Sequence, residues 1–154
     1  MGKKLILQKR ENIAKLKELG TRFNLSFCKY ASIGNKLLGL DARSRKLLVT
    51  EKHRAVDESH VIDLQKVKSV TFVKQYGSIR AGELNKRRLD DFLHFIHLKF
   101  EHSHKADSTK LSFYDRGIDA SVNIRRLIAR SKLMQMLLSR FIESIRLTQS
   151  HQSM

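Results

Sequence analysis

Residues 60–76, "HVIDLQKVKSVTFVKQY", form a long and β-branched run. They read as strand, the fourth in the chain, with a bend at Gln65–Lys66 that can divide it in two. On the N-terminal side, "KLILQKRENIAKLKEL" (4–19) places Leu5, Ile6, Ile13, Leu16 and Leu19 near one helical stripe, and Gly20 stands where a helix stops. From Asn24 the period changes to two, with Leu25, Phe27, Ala31 and Ile33 expected on one face. Gly34-Asn35 then signals a tight hairpin into "KLLGL", and "DARSR" (41–45) a second turn before "KLLVTEK". These segments predict three antiparallel strands in meander order ahead of the fourth.

On the C-terminal side, "GSIRAGELNKRRLDD" (77–91) reads as a long basic connection. "DFLHFIHLKFEH" follows as a strand with Phe92, Ile96, Leu98 and Phe100 inward, and "KLSFYD" (110–115) pairs back across a polar loop. From about Ser121 to Thr148 the period returns to 3.6, and Ile124, Leu127, Ile128, Met134, Leu137, Leu138, Phe141, Ile142 and Ile145 form a wide apolar stripe. The predicted class is α+β: an antiparallel sheet or partly open barrel of about six to seven strands between a short N-terminal and a long C-terminal helix.

The charge balance, 31 Lys+Arg against 15 Asp+Glu, gives +16 with histidine neutral. A field of that size favours anionic partners but specifies none. The single cysteine, Cys28, excludes an intramolecular disulfide, and the absence of proline excludes a Pro-rich linker. The start "MGKKLILQKR" holds too short an apolar run for a signal-peptide core, and no segment approaches the ~20 apolar residues of a bilayer span. The expectation is a reducing, cytoplasmic setting.

Three words, "IGNKLLGLDARSRKLLV", "VIDLQKVKSVTFVKQYG" and "LSFYD", followed by a helix, resemble an uncharacterised family of bacterial pleckstrin-homology-like (PH-like) proteins over about residues 24–145. The expected organisation is an N-terminal amphipathic helix at 1–20, a single domain at 21–148 that the resemblance makes PH-like, and a polar tail at 149–154. The resemblance implies an interaction module and no catalytic signature. Phosphoinositide binding is not implied, because the first hairpin loop, "SIGNKL", is short and has only Lys36 as a basic residue.

Candidate chemistry is sparse. His94, His97, His102 and His104 crowd one hairpin, but within a strand His97 points away from His94 and His102, and zinc requires three or four converging ligands. A hairpin with one hydrogen-bonded histidine is the expectation, with no metal and no cofactor. Cys28 with His53 or His60 as base lacks any accompanying oxyanion group or paired acid, so no catalytic residue is assigned. Asp63 reads as a turn-capping acid, and Asp90 and Asp91 as bounds of the basic connection. "GSIRAG" lacks the Lys-Ser/Thr end of a phosphate-binding loop. The expected binding residues are Arg80, Lys86, Arg87 and Arg88, displayed on a loop to a protein partner or an anionic surface. The alternative is RNA or DNA binding, which the charge supports but which lacks an exposed aromatic platform.

Overall fold

The computed structural model describes residues 2–51, 58–117 and 123–152. The start of the C-terminal helix expected at Ser121, His53 and the last two residues of the expected tail lie outside them. The fold is α+β, with two antiparallel sheets of four and three strands, an N-terminal helix and a long C-terminal helix. The chain forms two units, Met1–Gln65 and Lys66–Met154. Among the described residues no helix is long and apolar enough to cross a membrane.

In the first unit, helix α1 (Gly2–Phe23) precedes a meander of β1 (Lys29–Ile33), β2 (Lys36–Asp41), β3 (Lys46–Glu51) and β4 (Ser59–Asp63). Gly20 does not end α1. The helix continues to Phe23 and closes at Asn24, whose φ of 56° is left-handed, while the Leu25 N–H donates to the Gly20 carbonyl at 2.7 Å. Gly20 serves instead as a place of close approach: a Cβ there would stand 2.9 Å from the Phe27 ring.

Gly34, at φ 59°, makes the tight turn between Ile33 and Lys36, where the sequence places it. The second turn is fixed by Asp41, whose Oδ1 accepts the Ser44 N–H at 2.9 Å, and by Arg45 at φ 56°. One face of the sheet sets Leu37 and Leu48 against Leu16 and Leu19 of α1, with Leu25, Phe27 and Val61 packed around them. On the other face Leu38, Leu40, Leu47, Val49 and Ile62 are also buried.

The alternation expected from Leu25 through Ile33 fails at one point. Ala31 pairs with Leu38, whereas Phe27 lies over Gly39, on the opposite side of the sheet. Regular strand begins only at Lys29, and the irregular stretch before it shifts the phase.

The second unit is the meander of β5 (Val67–Tyr76), β6 (Leu93–His102) and β7 (Ser108–Asp115), with α2 (Ile124–Gln152) lying on it. The bend predicted at Gln65–Lys66 is a 3-10 turn, Leu64–Lys66, and Asp63 caps it by accepting the Gln65 N–H at 3.1 Å. Asn123 caps α2 through its side-chain oxygen to the Arg126 N–H, 3.2 Å. Gln135 donates to the Val70 carbonyl at 3.0 Å, Lys132 stands 5.8 Å over the Phe72 ring, and Arg146 donates to the Lys68 carbonyl. Leu98, Phe100, Leu138, Ile142 and Ile145 are buried. The stripe read from the sequence is therefore the face of α2 that meets the sheet.

Candidate functional site

The connection between β5 and β6 is closed at its foot. The Gly77 N–H donates to the Phe92 carbonyl at 2.7 Å, and the His94 ring occupies the space beside Gly77, its Nε2 2.3 Å from where a Cβ would stand. A side chain at residue 77 would expel His94. From this foot the chain makes two short 3-10 turns, Glu83–Asn85 and Leu89–Phe92, with Gly82 before the first at φ 84°.

Glu83 organises the first turn. Its Oε1 accepts the Arg80 N–H at 3.0 Å, and its carbonyl accepts the N–H groups of Lys86 and Arg87 at 3.1 and 2.9 Å. One acidic residue thus ties three of the four expected binding residues together through their backbones. Asp91 does the same for the fourth, accepting the Arg88 N–H at 3.1 Å, while Arg116 donates to the Asp91 carbonyl at 3.1 Å and anchors the second turn. The acids of the loop therefore spend hydrogen-bonding capacity on backbone, and Arg80, Lys86, Arg87 and Arg88 are all exposed. They are not equivalent, since the Arg87 guanidinium lies 5.7 Å over the Phe92 ring.

The pattern of charge gave no sign of three apolar residues interleaved with these cations: Ile79, Leu84 and Leu89 are 37%, 55% and 46% exposed. Their signal was present as apolar letters inside a basic loop. Their exposure depends on how the two turns project.

The histidines do not converge. His102 is half-buried and bonded to the Thr109 hydroxyl at 2.8 Å, His94 packs on Gly77, and His97 crosses from Val73 to Ser112 on the sheet face turned from Leu98 and Phe100. Among the described residues no three His, Cys, Asp or Glu side chains are placed to hold a metal ion. His97 is nevertheless buried, and its pKa is held below the usual imidazole value by desolvation and by the charges of Lys110 and Lys99.

Cys28 is exposed just before β1, its thiol 3.4 Å from the Leu40 carbonyl, whereas His60 is on β4 at the far edge of the same sheet. Three interstrand spacings separate those strands, roughly 14 Å, so the two do not form a nucleophile–base pair.

A cleft of about 810 Å³ beside the end of α1 contains Asp41. Burial works to raise the pKa of this carboxyl, but hydrogen bonds from the backbone N–H groups of Ser44 and Ser26, the Ser44 side chain and the Arg43 backbone hold it below the usual carboxylate value. Its oxygens are thereby committed to the turn and to the segment entering β1. Against protein-family models, curated proteins and solved structures, the chain has no match.

Proposed function

We propose that the chain is a non-enzymatic PH-like interaction module that presents the β5–β6 connection to an anionic surface. The sequence of elements, a four-stranded meander, a three-stranded meander and a closing helix, supports the PH-like reading. The observation that carries the binding reading is the interleaving of exposed Ile79, Leu84 and Leu89 with exposed Arg80, Lys86, Arg87 and Arg88 on a loop tied by its own hydrogen bonds. Aliphatic side chains cannot stack on bases, and the aromatic ring of this loop, Phe92, is buried under Arg87. The mixture suits a surface that is both anionic and apolar, a lipid headgroup layer or the acidic rim of a protein partner, better than RNA or DNA.

The triple reversal Lys86→Glu, Arg87→Glu and Arg88→Glu tests this. Binding to vesicles containing anionic phospholipid should fall at least a hundredfold at ~0.1 M salt, since each basic residue near such a surface contributes about 1 kcal/mol. Reversal of Arg125 and Arg126, exposed on the first turn of α2, is the matched control and should cost far less. Equal losses from both would mean diffuse charge. Competition by RNA that displaces vesicles, with Leu84→Ser and Leu89→Ser having no effect, would favour nucleic acid. Binding to neither, with a protein recovered through this loop, would identify a protein partner.

A further inference from the structure

The face of α2 turned away from the sheet is not uniformly polar. Leu133, Met136 and Leu147 are 66%, 48% and 57% exposed, and Arg140 and Glu143 lie between them in sequence. At about 100° per residue, these five residues fall within about 80° of arc, opposite buried Leu127, Ser131, Leu138, Ile142 and Ile145. Their spacings of three, four, three and four residues are the a/d alternation of a coiled-coil seam.

The stripe is also complementary to itself in one direction. Met136 and Leu147 share a midpoint between residues 141 and 142, and Arg140 and Glu143 share the same midpoint. Turned about a two-fold axis there, Met136 meets Leu147 of a second copy, and Arg140 meets its Glu143. Both matches form twice from one register. At 1.5 Å per residue, the two pairs lie about 8 Å and 2 Å from the axis along the helix. Ser139 and Ser144, small residues with the same midpoint, flank the seam and allow helix axes to approach to the usual 8–10 Å. A parallel pairing would set Arg140 against Arg140 and is excluded by like charge. Glu143 is already 3.7 Å from Arg146, but that pair is exposed, and Arg146 is also bonded to the Lys68 carbonyl.

We infer that two copies of this chain associate antiparallel through the outer face of α2, with Arg140 and Glu143 pairing across the two-fold axis. A seam this short, between chains that each carry +16, makes a weak dimer, with a dissociation constant between about 1 µM and 1 mM.

Analytical ultracentrifugation of the full chain across that concentration range, at ~0.15 M salt, tests the pairing. Arg140→Glu and Glu143→Arg should each weaken association at least tenfold, and the double swap should restore it to within about threefold of the original. Net charge alone predicts something different: Arg140→Glu lowers the repulsion between copies and would strengthen association, whereas Glu143→Arg would weaken it. A second measurement reads the register directly. In a Cys28→Ser background, an equimolar mixture of Met136→Cys and Leu147→Cys chains should form the mixed disulfide, while Met136→Cys alone should not, its two copies being roughly 16 Å apart along the helix. A monomer at every concentration, a dimer indifferent to either reversal, a double swap no better than the singles, or cross-linking of Met136→Cys to itself would each overturn the inference.

Discussion

The Phe27 ring fills the space that a side chain at Gly39 would need: its carbons come within 2.9 Å of where a Cβ would stand. The same ring comes within 2.9 Å of a Cβ placed on Gly20 of α1, and it meets Tyr30 edge-on at a centroid distance of 6.0 Å. One aromatic residue outside regular structure therefore uses two glycines, one on the helix and one in the sheet, as its walls. The ring is half-buried, and its contacts with both glycines tie the helix to the sheet.

Gly39→Ala should consequently destabilise the protein by about 1–3 kcal/mol through overpacking. Shrinking the intruder should relieve it. In a double-mutant cycle with Phe27→Leu, the two substitutions should be non-additive by at least about 0.5 kcal/mol, measured by urea unfolding. Strict additivity would mean that the ring does not fill this space.

Thr50 and Ser59 face one another across β3 and β4, and their hydroxyl oxygens are buried with no hydrogen-bond partner. Thr50 is 1% exposed. A buried hydroxyl without a partner costs about 1–3 kcal/mol of desolvation, and valine has nearly the same shape. Thr50→Val should leave the urea midpoint unchanged or raise it, the reverse of the usual result for a core substitution. A fall of the size expected for a lost hydrogen bond would show that the hydroxyl is satisfied in solution.

His97 makes stability depend on pH in a direction that its environment fixes. Burial first, then Lys110 and Lys99, lower its pKa in the folded protein, and His60 is lowered likewise by burial and by Lys36. Below the unfolded value of about 6.5, the unfolded chain takes up protons that the folded chain refuses. Stability is therefore complete above about pH 6.5 and declines as the pH falls from there toward the lowered folded value. His97→Gln should make that decline shallower, read as the urea midpoint against pH, and an unchanged slope would place the effect elsewhere.

The local signals in the sequence were sufficient for the presence and order of the helices and strands. Gly34-Asn35, "DARSR", Asp63 before the bend and the 3.6-residue stripe of α2 act over a few residues, where backbone geometry and side-chain spacing settle the outcome. The α+β class and the antiparallel meander order followed from them, but one sheet or partly open barrel of about six to seven strands was expected where the structure has two sheets, of four and three strands. The exposure of Arg80, Lys86, Arg87 and Arg88 followed from their place in a polar connection. What depends on residues distant in sequence was not legible. Gly20 read as a helix stop because the feature that calls for a glycine there, the close approach of the Phe27 ring, comes from outside the helix. The segment 24–28 kept its alternation on paper, yet a shift of phase costs little in sequence and reverses every face in space. His97 is buried and Leu133, Met136 and Leu147 are bare for a shared reason: periodicity says which residues share a face, and only the packed neighbours decide which faces are covered.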